Sequence, residues 1–139
     1  MAERGDKIAV KIGDSGSEVI LVGIRNTSKS LTMDEEESTT RDTSGNAKTF
    51  VPIRYDETIS VDGLRDTTAS SRELVEDMVA KLKAGTIASI VYGGTETGDT
   101  IYTGEGFFTS LEETNPYDAL QEWSGELRIT GEMTKSTVA

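Results

Sequence analysis

Apolar and polar positions alternate along most of the chain, and the period they keep is that of strands. From Lys7 to Ile12 the apolar Ile8, Val10 and Ile12 interleave with Lys7 and Lys11, which predicts a half-buried strand. Gly13-Asp14-Ser15-Gly16 supplies a turn. Val19 to Ile24 reads as a buried strand that runs on through the Ser/Thr-rich RNTSKSLTM to about Met33, with Asn26, Ser28, Ser30 and Thr32 on one side. Too few apolar residues remain in that second half for its polar face to be core. A long polar stretch then separates this strand from Ile53–Leu64. There Ile53, Tyr55, Ile59 and Val61 point one way, and Arg54, Asp56, Thr58, Ser60 and Asp62 the other. Antiparallel pairing of the two flanking strands is the simplest topology.

The period changes once. Leu74, Val75, Met78, Val79 and Leu82 form a helical stripe, with Glu76 and Asp77 early and Lys81 and Lys83 late, as the helix dipole favours. Ser70 and Glu73 have capping-box spacing and Gly85 is a natural stop, so the helix is expected over about Ser71–Ala84. Strand period then returns. It covers Thr86–Tyr92, a Gly-rich hairpin loop, and Ile101–Leu111 with Ile101, Thr103, Phe107, Thr109 and Leu111 on one face. Gly104 and Gly106 mark a bulge or a close backbone contact. A loop over Glu112–Ala119 leads to a last strand, Leu120–Thr130, with Trp123, Leu127 and Ile129 inward and Glu122, Glu126 and Arg128 outward. Residues 133–139 read as a frayed tail. The sum is one mainly β domain over residues 1–139. It is a β-sandwich or partial barrel of six or seven strands with one flanking helix, and has no βαβ alternation.

The stretch from Met33 to Val51 stands apart. It holds five acids and two bases, with Asp34, Glu35, Glu36 and Glu37 in an unbroken row. A structureless loop of this length inside a compact domain is unusual. Two readings stand: a solvated hairpin loop, or an arm over Asp34–Phe50 that orders when it meets another subunit.

Composition narrows the chemistry. The chain has no cysteine and no histidine, a formal net charge of −11 and a mean hydropathy of −0.38. No disulfide, zinc site or Ser-His-Asp triad is available to it. Gly13-Asp14-Ser15-Gly16 has the wrong spacing for a nucleophile elbow, and no Gly-rich loop ends in Gly-Lys-Ser/Thr. The row Asp34–Glu37 lacks the spaced ligands and turn glycine of an EF-hand. No enzyme activity, cofactor or metal is expected. The basic patch of a nucleic-acid binder is missing. No apolar run approaches membrane-spanning length, and MAERGDKIAV contains no signal-type apolar region, so the expected place is a cytoplasm or an assembled particle.

What remains is architectural. Strands with Ser/Thr/Asn/Asp faces, a long arm and an acidic balance suit a ring-former, in which neighbours continue one sheet and hide its edges. The order of segments then carries a resemblance. A short N-terminal strand pair leads to Thr39-Thr40-Arg41-Asp42-Thr43-Ser44-Gly45, then to a strand ending Val61-Asp62-Gly63 and a helix ending at Gly85. Tyr102-Thr103-Gly104-Glu105-Gly106-Phe107-Phe108-Thr109-Ser110-Leu111 follows, and the last strand ends Ile129-Thr130-Gly131. In this order, over nearly the whole chain, it resembles a phage major tail protein, the tail tube subunit of long-tailed phages and related gene transfer particles. The Trp123 strand, with Glu126 where such chains often carry a small residue, matches more loosely.

The resemblance implies a β-sandwich with a flanking helix, assembled as six-membered rings stacked into a hollow tube. The tube would be carried in the virion tail, assembled in the bacterial host cytoplasm and joined to other tail proteins. Double-stranded DNA would pass through it without specific binding, and no membrane is involved. An acidic, hydroxyl-rich wall suits that passage, because lysines would hold phosphates. The lumen candidates are Asn26, Ser28, Ser30, Asp56, Thr58, Ser60 and Asp62, with Glu122 and Glu126 as a competing set. The inter-ring arm candidates are Asp34, Glu35, Glu36, Glu37, Arg41, Asp42 and Lys48. A related injection-machine tube, a tail-terminator protein and a β-sandwich binding module are the alternatives.

Overall fold

The computed structural model describes residues 8–14, 16, 18–39, 45, 47–65, 72–73 and 75–138. The elements in chain order are β1 (Ile8–Gly13), β2 (Val19–Leu21), β3 (Ile24–Glu37), β4 (Phe50–Leu64), β5 (Arg72–Glu73), α1 (Val75–Ala84), β6 (Ala88–Gly94), β7 (Thr100–Thr114) and β8 (Glu122–Thr137). All eight strands belong to one sheet in the order β3-β4-β8-β7-β6-β1-β2-β5, antiparallel except where β5 joins β2. One face of this sheet carries the core, and toward its β3 edge Thr27, Lys29 and Glu57 share that face. Ile59 and Val61, Leu127 and Ile129, Phe108, Ile90, and Val10 and Ile12 come from five successive strands into a single core, which Val75 and Met78 of α1 close. The mainly β fold with a flanking helix is as expected.

The strand expected over Val19–Met33 is two strands. The chain turns at Val22-Gly23 and crosses from the far end of the sheet to its other edge. Gly23 has φ of +58°, and a Cβ there would stand 2.3 Å from the Leu64 carbonyl oxygen. The same approach brings the Gly23 carbonyl within 3.0 Å of the Leu64 amide. Trp123 fixes this corner. Its indole N–H is shared between the carbonyls of Val22 and Leu64, at 3.1 and 3.2 Å.

The helix starts at Val75 rather than near Ser71. Residues 72–73 pair with Ile20 and Leu21 instead, because the free edge of β2 offers their backbone a ladder. Glu73 therefore holds no helical capping position; Ser70 lies outside the described residues. The C-terminal end follows its glycine: Gly85, at φ +66°, and Thr86 return their amides to Leu82 and Lys81, a Schellman closure. In β7, register shifts between Thr103 and Glu105 and between Phe108 and Ser110 reverse part of the expected facing. Phe108 enters the core and Phe107 lies opposite Arg128, while Leu111 returns to the core side. Residues 133–137 are the end of β8, not a frayed tail. Thr134–Thr137 pair with Thr100–Thr103, Met133 is buried, and Val138 exchanges backbone bonds with Gly98 and Asp99.

Candidate functional site

The seven lumen candidates lie on one sheet face. In β3 and β4, Asn26 stands opposite Asp62, Ser28 opposite Ser60, Ser30 opposite Thr58 and Thr32 opposite Asp56. Directly opposed residues of an antiparallel pair share a face. The neighbouring strand extends that face, since Ser60 opposes Glu126, Thr58 opposes Arg128 and Leu64 opposes Glu122. Glu122 and Glu126 are therefore members of the same face and not competitors on another one. β7 adds Ser110 and Glu112. The result is a shallow polar groove across four strands, with Asn26, Ser60, Asp62, Ser110, Glu112 and Glu126 along it. Nearer the arm, a second groove holds Arg54, Asp56, Phe107 and Arg128. The carboxylates of this face, Asp56, Asp62, Glu112, Glu122, Glu126 and Glu132, outnumber the guanidinium groups of Arg54 and Arg128, and Arg25 reaches Glu122 at 3.6 Å. One carboxylate is committed to structure: Asp62 Oδ1 accepts the Asn26 amide at 3.0 Å, where the ladder slips between Ile24 and Asn26.

This four-stranded face is open on both sides. β3 is the outermost strand. β7 pairs with β6 only through Ile101–Gly106, so among the described residues Phe107–Thr114 has a strand neighbour on one side alone.

The arm is more ordered than its composition suggests. β3 and β4 stay paired as far as Glu37 and Phe50, so Asp34, Glu35, Glu36 and Glu37 are strand residues on a two-stranded ribbon. Beyond them the Ser38 amide donates to the Thr49 carbonyl at 2.8 Å, and the Thr49 amide donates to the Thr39 hydroxyl at 2.8 Å. Lys48 is exposed; Arg41 and Asp42 lie outside the described residues. The ribbon also exposes Leu31, Met33, Phe50, Val51, Ile53 and Tyr55, each with 40–59% of its surface in solvent.

At the root of the ribbon Glu57 is buried to 6% exposure. Lys29 Nζ lies 3.7 Å from its Oε2 and 3.5 Å from the centre of the Tyr102 ring. That Oε2 accepts no hydrogen bond. Desolvation, then the Glu132 and Glu57 carboxylates, hold the nearby Tyr55 phenol above its ordinary 10.0. Sequence reasoning missed this cluster, because Lys29 sits in a run that is polar on both sides.

A family model described as phage tail tube protein matches residues 2–135. This chain belongs to the phage tail tube protein family. No curated protein sequence matches it significantly. Solved tail structures share its fold at low identity. A chain of the virion of a native gene transfer agent particle superposes with a TM-score of 0.80 at 15% identity, covering 98% of this chain and 100% of that one. A chain from the tail of an empty gene transfer agent particle, with C6 symmetry, gives 0.78 at 17%, covering 99% and 100%. The SPP1 tail tube gives 0.76 at 14%, covering 99% of this chain and 81% of that one.

For a tail tube protein, a structural subunit by family, the open-edged polar face and the ribbon are the parts that fold and core leave unused. Among the described residues no acidic cluster is placed to hold a metal ion. Nor, among the described residues, is any helix long and apolar enough to cross a membrane.

Proposed function

We propose that six copies of this chain close into a ring by joining the free edge of β3 on one copy to the free Phe107–Thr114 edge of β7 on the next. The polar face then becomes the wall of a channel. Rings stack through the ribbons, and the tube, carried in a virion tail and assembled in the host cytoplasm beside other tail proteins, conducts double-stranded DNA. The observation that carries this is the pair of open edges on one four-stranded, polar-faced sheet. Edges of that length are a liability in a monomer and are removed by closure. The six-fold count comes from the C6 symmetry of the similar gene transfer agent tail. At ~4.8 Å per strand, six four-stranded sheets enclose a barrel about 37 Å across before tilt widens it. A side-chain layer of about 5 Å on each side leaves room for duplex DNA. The surplus of carboxylates keeps phosphates from settling on the wall, with Arg54 and Arg128 among its cations.

The chain has no cysteine, so crosslinking has no background. Ser28→Cys with Ser110→Cys should give, on oxidation, a ladder of covalent oligomers ending at six. Absence of any intermolecular product would refute the edge pairing. For the channel, Ser60→Lys is a cleaner probe than Asp62→Lys, because Asp62 also supports the Asn26 amide. Particles with Ser60→Lys should assemble and release DNA more slowly; unchanged release places this face outside the channel. A fold match to the anti-feeding prophage baseplate, TM-score 0.66 at 11% identity over 99% of this chain, keeps an injection-machine tube as the second reading. DNA inside purified tubes separates the two.

A further inference from the structure

The ribbon points away from one end of the sheet, and the β7–β8 loop lies at the other. β4 runs from Phe50 on the ribbon to Leu64, which opposes Glu122, and the Arg65 amide donates to the Gln121 carbonyl at 2.9 Å. That loop displays Tyr117 and Leu120, 105% and 70% exposed. Among the described residues, large apolar side chains in solvent thus gather at two opposite ends, with Ile87 the exception between α1 and β6. At the ribbon end there is also a cleft. Leu31, Met33, Tyr55 and Met133 form its apolar wall, and Glu57 and Glu132 supply carboxylates beside the Lys29 ammonium. Glu57 is more than nine-tenths buried there, and its Oε2, 3.7 Å from the Lys29 Nζ, accepts no hydrogen bond.

We propose that Tyr117 of a copy in the adjacent ring inserts into this cleft, with Leu120 against the exposed side of the ribbon. The inference rests on the stacked-ring reading. The occupant is a second copy because the two surfaces sit at opposite ends of one strand direction. A head-to-tail contact of that kind repeats indefinitely, as a tube requires. The chemistry matches as well. Tyr117 brings a ring that methionine and leucine side chains cover, and a hydroxyl for which the carboxylates are acceptors. From Tyr55 to Leu64 the strand spans about 30 Å, so with the reach of the loop the contact sets a ring-to-ring repeat somewhat longer than that.

Electron microscopy of wild type, Tyr117→Ala and Leu120→Ser tests this. Both changes are at exposed positions, and circular dichroism should show the native fold. The expected result is single rings in place of tubes, with the concentration needed for stacking raised about tenfold or more. A paired Tyr117→Cys and Met33→Cys variant should crosslink one ring to the next on oxidation. Tubes of wild-type stability from Tyr117→Ala, with no crosslink, would overturn the proposal while leaving the stacked ring intact. A wild-type chain that forms no rings at any concentration would remove the underlying reading itself, and this inference with it.

Discussion

Replacing Lys29 by methionine tests the root of the ribbon most directly. Lys29 and Glu57 are 14% and 6% exposed at their side chains, so neither charge is well hydrated. Methionine keeps most of the stem and deletes the ammonium. The Glu57 carboxylate is then left among Tyr102, Met133 and Tyr55 with no cation, and the ammonium over the Tyr102 ring is lost as well. Removing one partner of a buried pair costs about 3–5 kcal/mol, much of it from stranding the other charge. For a chain of this size that lowers the melting temperature by roughly 10–15 °C. Scanning calorimetry of the monomer measures it. The double variant Lys29→Met with Glu57→Leu should recover most of the loss, because a well-packed apolar pair is often as stable as the ion pair it replaces. A single-variant loss under about 1 kcal/mol, the value of an exposed pair, would show that the charges are hydrated and the reasoning wrong. So would a double variant worse than the single.

Three further outcomes follow from the same geometry. Gly23→Ala should cost about 3 kcal/mol or more and lower soluble yield, since its Cβ would strike the Leu64 carbonyl at positive φ. Gly85→Ala, with positive φ but nothing within 4 Å, should cost about 1 kcal/mol; urea titration compares them. Arg65 hydrogen-bonds Glu76 and holds its carboxyl below the ordinary 4.5. That contribution is present above the ordinary value and lost as pH falls through the folded one, so Arg65→Gln should lower the urea midpoint near neutrality and converge with wild type in acid. The Tyr55 phenol, raised above 10.0, contributes stability below that value and loses it as alkali deprotonates the folded form; a difference ultraviolet titration against Tyr55→Phe should place its midpoint above 10.0.

Period-two alternation made β1, β4 and the seven polar residues of β3 and β4 legible, because each strand fixes its own facing. The stripe from Val75 to Leu82 did the same for α1. What alternation leaves open is register. Glu126 joins the face of Ser60 only through the β4–β8 ladder. Phe108, not Phe107, lies in the core because it shares a side with Tyr102, Gly104 and Gly106, and Leu111 rejoins that side only through the slip between Phe108 and Ser110. The split at Gly23 was hidden inside an apolar run, and its cause is a backbone contact with Leu64, forty-one positions away. The last strand is legible over Leu120–Thr130, but its end reads as a tail because Thr134–Thr137 carry no apolar pattern; pairing with β7 and the burial of Met133 hold them. The acidic row reads as loop or arm for the same reason, although backbone pairing carries β3 through it.

The chain carries one tryptophan, and it is the residue that ties Val22 to Leu64 at the corner. A dry indole emits toward the blue and shifts red when water reaches it. Trp123 is already shut away from solvent within the single chain, so its colour reads whether the corner is closed and stays constant while tubes grow. Folding and polymerisation can therefore be followed in one cuvette, the first by emission wavelength and the second by scattered light.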